Sequence, residues 1–251
     1  MNGNKTVTAN FNEIPVAKAL AHWKFDETNG SVAYDSAGAF NGELSPSGAS
    51  FASGGISGGA LSLSKTNNGF VNMGNVLGME SGDFSVMAWV KMNAGDITES
   101  TVVLSKQRAG YANGYLIGAN FSGGPTGGYA QPNKAWFYDS DYHGQEVTST
   151  TSVNDGNWHQ IVGVYVAGAN KYIYVDGAPA EASNASRQIV ANPGKFVIGG
   201  VDSNGTPGSA FTGLIDEVQI YNYALSPSEV DFLFQNPAQE ISPHELPPRQ
   251  W

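Results

Sequence analysis

The sequence predicts an all-β protein, a two-sheet antiparallel β-sandwich or jelly roll with one short C-terminal helix. Three observations point there. Glycine numbers 32 in 251 residues, well above the usual ~7%, so many turns cut the chain. Short strand-like runs recur between clusters of Gly, Asn, Asp and Ser. Two of those runs are apolar on both faces, as central strands covered from both sides must be.

Taken in order, residues 1–19 hold no sustained period and read as a leader or linker. The domain is expected over 20–236. Its first strand is 21–25, ended by the polar cluster 26–30. Further strands are expected at 60–64, 70–73, 84–92, 101–106, 115–119 and 135–138, then at 158–166, 171–175, 196–198 and 214–221. Phe84, Val86, Ala88 and Val90 alternate with Met87 and Trp89, and 161–166 is apolar throughout; these are the two central strands. Asp176-Gly177 follows 171–175 as a tight turn, because both residues tolerate φ > 0. Ser226-Pro227-Ser228-Glu229 is a capping box with Pro at the first helical position. Val230, Leu233 and Phe234 supply an apolar stripe and Asn236-Pro237 stops it, so the helix is expected at 227–235. Residues 237–251, with Pro247-Pro248, read as a Pro-rich tail or interdomain linker, which fits a piece of a larger multidomain protein.

Charge narrows the partners. Twelve Lys+Arg stand against 22 Asp+Glu, a formal charge of −10. Such an excess repels phosphate backbones, so no nucleic acid is expected. No apolar run approaches the ~18 residues of a membrane helix. Met1–Lys5 is followed by mixed polar residues instead of an apolar stretch, so no signal peptide is read in this chain. There is no cysteine, hence no disulfide, thiolate metal site or Cys nucleophile.

Chemistry leaves few marks. His22 and His159 sit in strand runs beside Trp23 and Trp158 and read as hydrogen-bonded structural histidines, whereas His143 lies in a polar aromatic loop. No Gly-x-Ser-x-Gly elbow, phosphate loop or dinucleotide fingerprint occurs, and Gly-rich stretches such as 53–59 read as turns. Glycosidases need two carboxylates facing one cleft. The pair Asp216-Glu217 lies on a strand, where adjacent residues should point to opposite faces, and a Glu-x-Asp-x-x-Glu arrangement is absent. No enzyme is expected. Asp26, Asp35, Asn41 and Asp216 are hard oxygen donors beside strand ends or turns, the donor type calcium takes, though alone they are ordinary loop residues.

These residues together resemble a family. Trp23-Lys24-Phe25-Asp26-Glu27, Ala33–Gly38 and Asn41-Gly42 look like the opening of bacterial laminin-G-like domains of the concanavalin A-like lectin/glucanase superfamily. Phe84–Val90 is similar to their central strand, and Trp158–Val162 with Tyr172–Gly177 to a later hairpin. Phe211–Ser226 with its short helix is the most specific segment. The resemblance implies a concanavalin A-like jelly roll and a mostly non-catalytic module of secreted or cell-surface proteins. It also implies a structural calcium ion held by Asp26, Asp35, Asn41 and Asp216, tying the first strand's exit to the last strand.

A carbohydrate ligand is expected from the aromatic loops. Tyr111, Trp136, Tyr138 and Tyr142 lie among Asp139, Asp141 and His143. Sugars need an exposed aromatic platform for their C–H face, with polar side chains around its rim. The bland alternative puts Trp136 and Tyr138, two apart on one strand, in the sandwich core. Lys106, Arg108 and Lys134 offer a small basic patch nearby, but net charge favours a neutral or mildly charged polysaccharide. The expected function is a calcium-stabilised carbohydrate-binding module. The alternatives are a structural or adhesive domain with a protein partner and, third, a polysaccharide-active enzyme.

Overall fold

Two eight-stranded antiparallel sheets enclose the core of the computed structural model, which describes residues 19–93, 100–107, 113–121, 131–139, 146–203 and 206–241. Sheet I runs Ala182–Ala185, Asn170–Val175, Trp158–Tyr165, Phe84–Lys91, Gly213–Tyr221, Gly59–Leu63, Ala49–Ser53, and Ala19–Trp23 also pairs with Gly213–Tyr221. Sheet II runs Val147–Ser152, Gln131–Asp139, Tyr115–Phe121, Thr101–Lys106, Phe196–Ile198, Val71–Asn72, Gly42–Leu44, Val32–Ala33. The expected all-β sandwich, its long strands and its central runs are what the chain forms.

Alternation assigns the faces. Phe84, Val86, Ala88 and Val90 point into the core between the sheets, with Phe137, Ile161, Phe196, Ile215 and Ile220. Met87, Trp89, Val162, Val164 and Tyr174 point the other way and are buried as well. Their cover is the helix Pro227–Gln235, which brings Val230 and Leu233. Ser226 caps it: its hydroxyl accepts from Glu229 N–H, and the Glu229 carboxylate accepts from Ser226 N–H in return. Asp176 and Gly177 take φ of 54° and 68°, as their turn requires.

Several expectations need revision. Strands at 32–33, 42–44, 49–53, 147–152 and 182–185 escaped prediction; they are short or built from Ala, Ser and Thr, with little apolar alternation to betray them. Residues 237–241, expected to begin the tail, are packed. Ile241 is buried in the cluster under the helix, and Gln219 Nε2 donates to the Gln239 carbonyl at 2.9 Å. Residues 1–18 and 242–251 lie outside the described residues. Among the described residues no helix is long and apolar enough to cross a membrane.

The Asp216-Glu217 pair also departs from simple alternation. Ile215 and Val218 both face the core, so two residues lie between two inward-facing ones, and the pairing with Phe84–Lys91 shifts between Asp216 and Gln219. That is a β-bulge, and Glu217 adopts its left-handed φ of 47°. The opposite-face argument therefore does not apply to this pair.

Candidate functional site

Strand register lays one row across the outer face of sheet II. Glu43 pairs with Asn72, Asn72 with Val197, Val197 with Ser105, Ser105 with Leu116 and Leu116 with Tyr138. Six strands are crossed, roughly 24 Å at ~4.8 Å per strand. Trp136 lies beside this row over Gly118, where a Cβ would stand 2.6 Å from the indole nitrogen. Its N–H donates to the Ala119 carbonyl at 3.3 Å.

This face is partly roofed. After Ile198 the chain leaves sheet II, makes the hairpin Val201–Ser203 with Thr206–Gly208, and returns to sheet I. The Ser105 hydroxyl donates to the Gly200 carbonyl at 2.8 Å, and Val102 N–H to the Ser209 carbonyl at 2.9 Å. Val201 then joins Val102, Leu116, Trp136 and Tyr138 in a small apolar cluster apart from the main core.

The expected sugar platform is accordingly corrected. Trp136 and Tyr138 are only 7% and 6% exposed. They belong neither to an open platform nor to the sandwich interior, but to that outer cluster. Asp139 is fully buried; it forms an ion pair with Lys171 on sheet I and accepts the Arg187 N–H at 2.6 Å. Burial pushes its carboxyl up, with Lys171 opposing. It clamps the two sheets and has no place at a sugar rim. Of the basic patch, Lys106 is buried, donating to Asn75 Oδ1 at 2.5 Å and to the Gly194 carbonyl, while Lys134 donates to the Thr150 carbonyl. Tyr111, Asp141, Tyr142 and His143, together with Arg108, lie outside the described residues.

The four expected calcium ligands divide into two pairs. Asp35 Oδ1 accepts N–H groups from His22, Ala37 and Gly38, and Oδ2 accepts from Phe40, at 2.9–3.1 Å. Asn41 Oδ1 accepts from Asp35 N–H at 2.9 Å. Asp35 and Asn41 thus organise their own loop through backbone N–H groups. Asp26 and Asp216 instead flank the turn 55–59. Asp26 Oδ1 accepts from Gly59 N–H at 2.7 Å, and Asp216 Oδ2 from Ser57 N–H at 3.2 Å. Gly58 (φ 69°) presses so closely on Asp26 that any Cβ would overlap its Oδ1.

Asp216 is fully buried, and burial pushes its carboxyl up to about 8, with the neighbouring Glu217 adding to the rise. Glu217 Oε2 pairs with His22 Nε2 at 2.5 Å, and His22 Nδ1 with Glu240 Oε1 at 3.1 Å. Glu217 Oε1 is buried without a hydrogen-bond partner. Among the described residues no group of three or more His, Asp or Glu is gathered as a metal site. A cation at Asp26 and Asp216 would therefore draw its remaining oxygens from backbone carbonyls. The donor set, the glycine turn and the buried carboxylate of Asp216 fit a hard cation there.

Comparison with known proteins follows from this architecture. The laminin-G profile Laminin_G_3, described as the concanavalin A-like lectin/glucanases superfamily, matches residues 65–231, well over half of the chain. Among curated proteins, the Mus musculus "Sushi, von Willebrand factor type A, EGF and pentraxin domain-containing protein 1" is 27% identical over 121 residues, 42% of this chain, and its Rattus norvegicus counterpart 29%. The chain spans 3% of the length of these relatives. Among solved structures, domain 4 of AbnA, a GH43 extracellular arabinanase from Geobacillus stearothermophilus in complex with arabinotriose, matches with TM-score 0.64 and 23% identity. It covers 88% of this chain and all of that one. The receptor binding domain of botulinum neurotoxin C/D mosaic serotype gives TM-score 0.60 at 12% identity, over 87% of this chain and 51% of that one. Trypanosoma rangeli sialidase, in complex with the inhibitor DANA, gives 0.57 at 15%, over 86% and 32%. At these identities the structures share the fold, which serves binding modules and glycosidases alike.

Proposed function

The chain belongs to the laminin-G group of the concanavalin A-like lectin/glucanases superfamily, and from that premise we propose that it is a non-catalytic carbohydrate-binding module of an extracellular protein. The observation that carries the reading is the outer face of sheet II: a cross-strand row, apolar at its Leu116–Tyr138 end and polar at its Glu43–Asn72 end, under a partial roof. Apolar side chains edged by hydrogen-bonding groups match a sugar, whose C–H faces are ringed by hydroxyls. The AbnA domain, matched along its whole length, is domain 4 of an extracellular arabinanase and was solved with arabinotriose.

A binding role is favoured over hydrolysis by the fate of the buried acids among the described residues. Asp139 is paired with Lys171, Asp35 with four N–H groups, Glu217 with His22, Asp216 with the N–H groups of Ser57 and Glu217, and Glu229 with Ser226 N–H. Each is committed to partners within the fold, unlike the free pair of carboxylates that flanks a glycosidic bond. Arabinan, xylan, galactan and glucan should be bound without release of reducing ends. Hydrolysis of any of them would replace this reading with the enzymatic one. Absence of binding across a glycan array, with capture of a protein ligand, would favour an adhesive domain.

The same reading includes a structural calcium ion. Asp26, Asp216 and carbonyls of the 55–59 turn would hold it. Bound there, the ion would supply positive charge to a buried carboxylate and tie the exit of Ala19–Trp23 to Gly213–Tyr221. Because it would bind the folded state alone, it would raise stability by mass action. Chelation should lower the melting temperature, and Asp216→Asn should remove that sensitivity. An identical melting curve in chelator and in calcium would reject the ion.

A further inference from the structure

We propose that the sugar is seated in a groove at the open end of the cross-strand row, between Phe70, Asn72 and Val197 on one side and the hairpin residues Val201, Asp202 and Pro207 on the other, and that it takes one neutral sugar unit of a longer chain. This rests on the carbohydrate-binding reading and adds the seat and the ligand class.

The groove arises where the roof ends. Val201 packs toward Trp136 and Tyr138, and the Ser105–Gly200 hydrogen bond pins the hairpin over the middle of the row. Beyond it, Asn72 is half-buried and Glu43 exposed. The space left is a shallow, mostly apolar depression open to solvent. One face of a ring can lie on it, and the open ends let a polymer continue.

Its chemistry selects the class. Phe70, Val197, Val201 and Pro207 offer apolar surface for a C–H face. Around them stand three polar side chains of different capability. Lys195 only donates, the Asp202 carboxylate only accepts, and the Asn72 amide does both. Asp202 Oδ2 accepts the Lys195 N–H at 3.2 Å, and Asn72 Oδ1 accepts the Gly74 N–H at 2.9 Å, so both side chains are held in place. A hydroxyl donates and accepts at once and can use all three. Charge favours no ion: Lys195 is balanced by Asp202, Glu43 follows in the row, and the chain carries −10. A uronate or sulfate would meet net repulsion.

Affinity electrophoresis with arabinan, xylan, galactan and glucan, and with polygalacturonate as the acidic counterpart, tests both parts. At least one neutral polymer should retard the wild-type chain and polygalacturonate should not. Phe70→Ala and Asp202→Ala should each weaken retardation about tenfold, the scale of one lost hydrogen bond or stacking contact. If Phe70→Ala lowers the melting temperature, Asp202→Ala and Lys195→Ala decide, since both side chains are at the surface. Unchanged affinity in these variants overturns the groove and leaves carbohydrate binding standing. Retardation by polygalacturonate alone overturns the neutral class. No retardation by any polymer overturns the groove together with the reading beneath it.

Discussion

Sheet I and sheet II carry the same number of strands, yet their outer faces are finished differently. The outer face of sheet I is sealed. Met87, Trp89, Val162, Val164 and Tyr174 meet Val230 and Leu233 of the helix and Ile241 of the following segment. Trp89 stacks on Phe234 with ring centroids 5.6 Å apart and planes at 13°. Among the described residues the outer face of sheet II has a short hairpin as its cover, which lies over Trp136 and Tyr138 and then stops. A sandwich must bury the faces between its sheets; what it does with the outer two is open to variation. One is spent here on stability, and the other keeps a concavity.

The largest expected effect follows from the sealed face. Trp89→Ala should cost about 3–5 kcal/mol, the usual range for deleting a buried Trp side chain. Trp136→Ala, in a cluster of five, should cost less, because the hairpin can settle into the gap more readily than a helix tied at both ends. Urea unfolding of the two variants measures the difference. Equal losses would mean that both faces are structural. Trp89→Phe should be milder than Trp89→Ala, since the indole N–H is buried without a hydrogen-bond partner.

What could be read beforehand divides along the same line. The sealed face was legible because its signals are local: a capping box, an apolar stripe, and Met87 and Trp89 alternating with core residues. The open face was not. Whether Trp136 is exposed depends on Val201, 65 positions later in the chain, and no periodicity encodes that meeting. The groove draws Phe70, Lys195 and Asp202 from separate segments with no motif between them. Its one sequence trace is the Gly199-Gly200 pair, followed by a polar insert before Phe211. Asp26, Asp35, Asn41 and Asp216 stand out in the sequence only as oxygen donors, and a carboxylate that gathers N–H groups and one that gathers cations look alike there.

A middle-sized effect separates the two buried histidines by pH. Burial lowers His22, but its hydrogen bonds to Glu217 and Glu240 outweigh that, and the net shift is upward. His159 is raised chiefly by Asp176, with Asp155 assisting; the distances are 2.8 and 3.0 Å. A histidine raised in the folded state stabilises fully below its unfolded value near 6.5 and loses that contribution as pH rises through the folded value. Asp216, raised to about 8, acts in the same direction when no cation is bound. The melting temperature should therefore fall as pH rises from about 6. His159→Asn should flatten part of that fall. His22→Asn should flatten the rest and loosen residues 237–241, read as faster amide exchange at Ile241. A melting temperature that climbs over this window would contradict both assignments.

The smallest effect is expected at Tyr34, and it sharpens the comparison most directly. At 60% exposure it is the most open large apolar side chain among the described residues. Its N–H donates to Glu27 Oε1 at 2.7 Å, and Asp35 beside it holds the loop. By exposure alone it would be the natural stacking platform. But it follows the edge strand of sheet II, beyond the Glu43 end of the row and away from its roof, and a single exposed ring excludes little water from a ligand. Tyr34→Ala should change stability by no more than about 0.5 kcal/mol, as surface substitutions usually do. It should leave polysaccharide retardation unaltered where Asp202→Ala reduces it. If Tyr34→Ala abolishes retardation instead, the ligand runs along the sheet edge, and the concavity under the hairpin is only the gap left where its roof ends.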